Sequence, residues 1–199
     1  MKLQHLGSNY GGWTIDVDLI KDGDTIIDAG LGEDITFDQE LSKIKNIKII
    51  DIDPTPKSHK FIERLNLPNL TLIKKAVEVN DGEIINMYKN TNPEWVSEST
   101  FSDHANVDKQ NYYEVDTVSL KTLIKKHNPS LVKLDIEGTE YEVLSDCIGV
   151  RQICVKFHHS QINGKSLIDT NVEIENLKNN GYTILHNTQN YQEVTFIKQ

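Results

Sequence analysis

The sequence predicts an α/β fold: a doubly wound, mostly parallel sheet of seven strands with an antiparallel strand pair at its C-terminal end. Short apolar runs typical of buried strands alternate with segments of helical periodicity. Their order is βαβαβ and, after an irregular stretch, βαβαββ, and parallel neighbours need such long crossovers. The last two strand patterns follow one another without a helix between them, so we expect them to form the antiparallel end.

Each element is predicted in turn along the chain. The strand patterns cover residues 24–28, 46–51, 70–75, 130–136 and 151–157, and the closing segments "GYTILHN" and "QEVTFIK". The helical patterns cover 34–45, a segment from Pro56, a segment from Ser119, 138–146 and 171–180. Residues 91–109 look like an irregular insertion. No repeat or linker divides the 199 residues, so we predict one domain over residues 1–199.

Charge and composition limit the partners. Thirty acidic and 21 basic residues give a net charge of −9, which opposes attraction to nucleic acid or anionic lipid. No apolar run reaches the length of a signal peptide or of a membrane span. Cys147 and Cys154 form neither a CxxC pair nor a disulfide framework, so we expect buried thiols in a reducing compartment. We therefore expect a cytoplasmic protein that binds no nucleic acid and spans no membrane; whether it forms a homo-oligomer stays open.

The first motif is the segment "TIIDAGLG" at residues 25–32. In a doubly wound sheet, the first strand-to-helix turn is the usual place for a nucleotide-like cofactor. Gly30 and Gly32 allow positive φ and a close approach of the cofactor to the backbone. A dinucleotide fingerprint would need a third glycine where Ile35 stands. Because Asp28 and Glu33 add negative charge, the turn suits a cationic sulfonium ligand such as S-adenosylmethionine better than a pyrophosphate.

A second acidic motif, "IIDIDPTP", places Asp51 and Asp53 at the end of the second strand. Asp53 follows Gly32 at about the spacing at which a carboxylate reaches the ribose hydroxyls of a cofactor. Pro54 keeps Asp53 out of the right-handed helical region. The alternative is an ordinary turn with a solvated strand end. We include Asp51, Asp53 and Ala76, which follows the third strand, among the predicted cofactor-binding residues.

A third cluster lies in "LVKLDIEGTEYEVL", where a strand delivers Asp135 and Glu137 to the same edge of the sheet. Two carboxylates at a cleft can raise one another's pKa and take part in proton transfer. The next strand presents His158 and His159, and histidine is the natural general base near neutral pH. We predict that Asp135, Glu137 and His158 are catalytic. The alternatives are that Glu137 caps a helix and that the histidines belong to a polar loop.

These motifs resemble the FkbM-type S-adenosylmethionine-dependent methyltransferases. The segment "VDTVSLKTLIKKHNPSLVKLDIEGTEYEVL" is similar to the hallmark of that family, in which T-[LV]-[SD]-x-L precedes a strand ending in D-x-E-G-x-E. "YGGW", "DAGLGEDITFD" and "DPTP" extend the resemblance over nearly the whole chain. The resemblance departs at Lys156, where many relatives have an acidic residue.

The resemblance implies a Rossmann-like class I methyltransferase fold that methylates hydroxyls of sugars or polyketide-like metabolites. It implies that Asp28, Gly30 and Gly32 line the methionine end of the cofactor and that Asp53 binds its ribose. Asp135 and Glu137 would then lie close to the transferred methyl group.

Several functional alternatives stay open at this point. We expect a small-molecule or glycan acceptor against the insertion 91–109, with Trp95, Phe101 and His104 in its wall; alternatively, Trp95 only anchors a loop. "NYGGW" is either a lid or a turn with Trp13 packed on the sheet. A divalent ion at the acidic cluster would suit Mg²⁺ or Mn²⁺, but no ligand spacing is diagnostic, so we predict no metal site.

Two other classes of protein compete with the methyltransferase interpretation. One is a catalytically silent module that keeps the fold and binds the cofactor. The other is a nicotinamide-dependent sugar-modifying enzyme, which the missing third glycine and the absence of a Y-x-x-x-K pair near the cleft disfavour.

Overall fold

The computed structural model describes residues 2–65 and 67–199. Its strands are β1 (Leu3–Leu6), β2 (Trp13–Asp16), β3 (Thr25–Ala29), β4 (Lys48–Ile52), β5 (Leu70–Ile73), β6 (Ala76–Glu78), β7 (Ile84–Asn90), β8 (Val107–Ser119), β9 (Leu131–Leu134), β10 (Gln152–Lys156), β11 (Tyr182–Asn187) and β12 (Glu193–Lys198). Its α-helices are α1 (Thr36–Ile44), α2 (Pro56–Leu65), α3 (Leu120–His127), α4 (Glu140–Val143) and α5 (Leu167–Asn179).

Seven strands form the central sheet in the order β11-β12-β10-β9-β3-β4-β5. The five strands from β5 to β10 are parallel to their neighbours, and β12 runs antiparallel to both β10 and β11. The predicted class I methyltransferase sheet and its antiparallel C-terminal pair are therefore confirmed. The order reverses between β3 and β9, which is the switch point at which ligands bind in open α/β sheets.

The helices follow the prediction apart from their bounds. The helix expected over 138–146 is only the short α4, continued by a 3-10 turn at Leu144–Cys147. The helix expected to start at Asn171 starts at Leu167, because Ser166 and Asp169 form a capping box in front of it. Ser119 is the N-cap residue of α3, as its sequence predicts.

Two small sheets were not predicted. β1 and β2 form a hairpin, and β6, β8 and β7 form a three-stranded sheet beside the cleft. β7 and β8 pair in antiparallel register, and the insertion 91–109 contains the loop between them. The strands of these sheets are short or largely exposed, so they lack the apolar runs that mark the buried central strands.

The core lies on both faces of the central sheet, where side chains of β3, β4, β9 and β10 alternate between two buried clusters. Both cysteines are buried free thiols, as predicted. No helix among the described residues is long and apolar enough to cross a lipid bilayer.

Candidate active site

A cleft of about 700 Å³ opens at the carboxyl ends of the central strands. Residues from every sequence motif line it: Tyr10, Gly30, Gly32, Asp53, Ala76, Trp95, Asp135, Glu137 and Lys156. Parallel strands direct their C-terminal loops to one edge, which explains why residues so distant in sequence share this cavity. The described residues thus contain one cleft that joins the glycine turn to the acidic cluster.

The glycine turn after β3 is required by the packing of the protein itself. Gly30 and Gly32 have φ of +83° and +57°, which larger residues rarely adopt. A Cβ on Gly30 would overlap the carbonyl oxygen of Asp135, and one on Gly32 would lie 2.9 Å from Val96. The turn therefore packs directly against the backbone that presents the acidic cluster.

Asp53 stabilises two turns at the edge of the cleft. Its Oδ2 accepts hydrogen bonds from the backbone N–H groups of Leu31 and Gly32, both at 3.1 Å. Its Oδ1 accepts from the N–H and the hydroxyl of Thr55 at 2.7 and 2.6 Å. The carboxylate is buried among these donors, and its predicted contact with ribose stays a prediction.

Asp28 and Asp51 lie beneath the cleft and are not among its lining residues. They are register partners on β3 and β4 and are 1% and 0% exposed. Asp28 Oδ1 forms an ion pair with Lys133 Nζ at 2.7 Å, so its charge is compensated within the core. Burial lowers the pKa of Lys133, but Asp28, Asp135 and Asp38 outweigh burial and raise it. A lone lysine inside a buried strand could have indicated this pair, because a buried charge needs a partner.

The acidic cluster brings together the three residues predicted to be catalytic. His158 Nε2 lies 3.4 Å from Asp135 Oδ1 and 3.4 Å from Glu137 Oε2. Asp135 directly follows β9, and its N–H donates to the Ala29 carbonyl in continuation of the parallel ladder. Glu137 has a φ of +50°, a conformation rare for a residue with a side chain and frequent at functional sites.

Three further side chains surround this cluster. The His158 ring donates from Nδ1 to Glu140 Oε1 at 2.9 Å, and Glu140 is fully buried. Lys156 Nζ donates to Asp135 Oδ2 at 3.1 Å, and His104 Nε2 lies 3.1 Å from Glu137 Oε2. Neither Glu140 nor Lys156 was among the predicted site residues. The signal for Glu140 was available, because it is the last acid of the D-x-E-G-x-E motif.

These contacts determine the protonation states of Asp135 and His158. Burial raises the pKa of Asp135, but the neighbouring His158 ring and the charge of Lys156 outweigh burial and hold the pKa well below its usual range. Burial lowers the pKa of His158, but Glu140 and Asp135 outweigh burial and raise the pKa well above its usual value. The Asp135 carboxylate is therefore ionised, and its surroundings favour the protonated form of the His158 ring.

The insertion 91–109 packs on this acidic cluster. Ser99 Oγ donates to the Glu137 carbonyl at 2.6 Å, and the ring of Phe101 lies against Gly138. His104 is buried beside Glu137, whereas Trp95 is 55% exposed at the cleft rim. The insertion therefore contributes both to the wall of the cleft and to the support of its acids.

The "NYGGW" segment forms a tightly bonded turn next to the glycine turn. Ser8 Oγ accepts from the N–H groups of Tyr10 and Gly11 and donates to Asp34 Oδ2. A Cβ on Gly12 would overlap the Ser8 carbonyl. Trp13 is buried in the core, which agrees with the turn alternative and places only Tyr10 at the cleft.

The family model for the methyltransferase FkbM domain matches residues 27–184, well over half of the chain. The chain belongs to this family. This FkbM-domain protein is accordingly a methyltransferase that depends on S-adenosylmethionine as its methyl donor. No curated protein matches its sequence.

Several solved structures are similar to this chain at low sequence identity. The fibrillarin pre-rRNA processing protein of Methanococcus jannaschii is 12% identical with a TM-score of 0.51, over 89% of this chain and 67% of that chain. The precorrin-6y C5,15-methyltransferase of Geobacter metallireducens is 15% identical with a TM-score of 0.49, over 92% and 86%. A putative methyltransferase of Streptococcus mutans, solved in complex with SAH, is 11% identical with a TM-score of 0.48, over 90% of both chains.

Proposed function

We propose that this FkbM-domain methyltransferase transfers the methyl group to a hydroxyl of a sugar or glycan. One observation carries the proposal: the glycine turn at Gly30 packs directly on Asp135, so the expected donor site and the acidic cluster share one cleft. A methyl donor in the turn and a hydroxyl at the acids would then lie side by side. Trp95 at the rim offers an aromatic face of the kind that stacks on sugar rings.

The chemistry asks little of the protein beyond alignment and removal of one proton. The acceptor oxygen attacks the methyl carbon in line, a C–O bond forms, and the C–S bond breaks with its electron pair remaining on sulfur. The hydroxyl proton must also be removed. Asp135, Glu137 or His158 accepts it in this proposal, because all three lie at or directly behind the cleft wall.

Cofactor binding is proposed for Gly30, Gly32, Asp53 and Ala76, which line the cleft. Asp28 and Asp51 contribute indirectly in this proposal, because they lie under the strand ends rather than in the cavity.

The proposal is tested by screening nucleotide sugars and polysaccharide fragments with a radiolabelled methyl donor. On an accepted substrate, Asp135→Asn, Glu137→Gln and His158→Asn should each reduce turnover by at least about a hundredfold, the usual contribution of acid–base catalysis. Their affinity for S-adenosylhomocysteine should stay within about threefold of the wild type. His159→Asn is the matched control, because the side chain of His159 contacts Thr170 outside the cluster.

Three results would contradict the proposal. Full turnover in all three cluster variants would remove their catalytic role. Transfer to nitrogen acceptors in preference to hydroxyls would overturn O-methylation. Calorimetric binding of the donor without transfer to any acceptor would favour the silent module instead.

A further inference from the structure

The acidic cluster contains buried polar atoms that lie close together without a well-aligned hydrogen-bond partner among the described residues. These atoms are Asp135 Oδ1, Glu137 Oε2 and His158 Nε2. Buried polar groups are normally paired, and each unpaired group calls for an explanation such as an ion. One potential ligand atom from each of Asp135, Glu137 and His158 lies within 4.8 Å of the other two.

The contact between His158 and Glu140 determines which ring nitrogen of His158 carries a proton. Its Nδ1 lies 2.9 Å from Glu140 Oε1, and an ionised carboxylate only accepts hydrogen bonds. The ring proton of a neutral His158 is therefore at Nδ1, and the lone pair of Nε2 points at two carboxylate oxygens. Two negative oxygens around a lone pair repel one another unless a positive charge, either a second ring proton or a cation, lies between them. A histidine whose second nitrogen donates to a carboxylate is also the usual arrangement at metal sites.

The distances fit a cation between these atoms. Metal bonds of about 2.1 Å at right angles separate neighbouring ligand atoms by about 3 Å. His158 Nε2 is 3.4 Å from each carboxylate oxygen. Lys156 occupies the other oxygen of Asp135, which leaves Oδ1 free.

The charge balance and the backbone conformation of the cluster also support a bound cation. Asp135, Glu137 and Glu140 bring three negative charges, and Lys156 compensates one of them. The unusual φ of Glu137 is held by the hydrogen bond from Ser99 to its carbonyl. The Asn106 N–H faces His104 Nδ1 at 3.3 Å, so a neutral His104 carries its proton at Nε2, toward Glu137. His104 is accordingly a positioning residue for Glu137 rather than a ligand.

We propose that Asp135, Glu137 and His158 form a site for one divalent cation whose remaining coordination positions open to the cleft. Two carboxylate oxygens and one imidazole suit Mg²⁺ or Mn²⁺. Asp135 and Glu137 line the cleft, whereas His158 lies behind it and is 2% exposed. No metal site was predicted from the sequence, because a spacing of two residues followed by a distant histidine is not diagnostic.

The use of the cation in catalysis rests on the proposed function, although its binding does not. A cation in this position binds the acceptor oxygen directly and lowers the pKa of its hydroxyl. With the cation bound, Asp135, Glu137 and His158 are ligands instead of the base of the proposed function, and the acceptor proton leaves to water in the open cleft.

Binding is tested on the full chain after treatment with a chelator and dialysis, with Mn²⁺ alone as the probe. Electron paramagnetic resonance measures free Mn²⁺ as the protein is titrated. We expect one Mn²⁺ per chain, half-saturated below about 1 mM and displaced by excess Mg²⁺. Glu137→Gln and Asp135→Asn keep the side-chain shapes and should weaken binding more than about tenfold. His158→Asn should do the same, and His159→Asn should bind like the wild type.

Two outcomes would overturn the site: a folded wild type that binds no Mn²⁺ at 1 mM, or variants that bind as tightly as the wild type. Circular dichroism verifies that each variant is folded, and the two isosteric acid variants keep the test valid if His158→Asn does not fold. Failure to methylate any hydroxyl would overturn the proposed function and leave the binding result standing. The two failures are therefore distinguishable.

Discussion

At the scale of single residues, Gly30 shows how one backbone position links the glycine turn to the acidic cluster. Any side chain at Gly30 meets the Asp135 carbonyl and must also adopt a φ of +83°. From the sequence, the role predicted for this glycine is to leave space for a ligand close to the backbone. The structure adds a second reason within the protein itself, because β3 and β9 are neighbours and their C-terminal turns touch.

We expect Gly30→Ala to destabilise the protein by about 3 kcal/mol or more, from backbone strain together with overpacking against Asp135. Thermal or denaturant unfolding measures this change. Gly82→Ala is the matched control, because its φ is +73° but no atom lies within 4 Å of the added carbon. It should cost only the strain, roughly 1–2 kcal/mol. Equal costs at the two positions would contradict the argument from close approach.

At the scale of elements, the insertion 91–109 forms one wall of the cleft beside the central sheet. It lies between β7 and β8, packs on the acidic cluster through Ser99 and Phe101, and presents Trp95 at the rim. Its irregular character was predicted from the sequence, but its packing partners were not. Loops that cover a rigid scaffold often determine which substrate a fold accepts.

If the insertion binds the acceptor, Trp95→Ala should raise the acceptor KM about fivefold to tenfold, because the stacking surface is lost. The KM for S-adenosylmethionine should not change. Steady-state kinetics with each substrate varied in turn separates the two constants. Trp95→Phe keeps an aromatic face and should restore most of the affinity. An equal rise in both constants would instead indicate that Trp95 only supports the cleft.

At the scale of the whole molecule, buried acids under the cleft link stability to pH. Asp51 is fully buried, and neither of its oxygens has a hydrogen-bond partner among the described residues. Burial, together with the neighbouring Asp28, raises the pKa of Asp51 well above its usual value. The folded state therefore favours the protonated form. Its contribution to stability is complete below the ordinary carboxyl pKa and is lost as the pH rises toward the folded pKa.

We expect Asp51→Asn to stabilise the protein relative to the wild type at pH 8 but not at pH 4. The difference should grow by up to about 1.4 kcal/mol for each pH unit until the folded pKa is reached. Melting temperatures measured from pH 4 to pH 9 test this expectation. The exposed Asp116→Asn is the control and should show a small, constant difference. A constant difference for Asp51→Asn as well would show that Asp51 is ionised in the fold.

The sequence alone determined the central sheet and its family. Buried parallel strands must be continuous apolar runs, and crossover helices must be amphipathic, so both patterns are visible without coordinates. The acids at the strand ends could also be predicted to lie close together, because the carboxyl ends of parallel strands meet at one edge of the sheet. The exclusion of nucleic acid, drawn from net charge, stays a prediction.

Only the tertiary structure decided which of these acids face the cleft and which are buried. Asp28 meets Lys133, and Glu137 meets His158 and His104, across 21 to 105 residues of chain. Such partners come from different elements, and their distances depend on packing rather than on local periodicity. The exposed strands of the small sheets, such as β8, also depend on their pairing partners, because hydrogen bonds between strands leave no local signature in hydrophobicity.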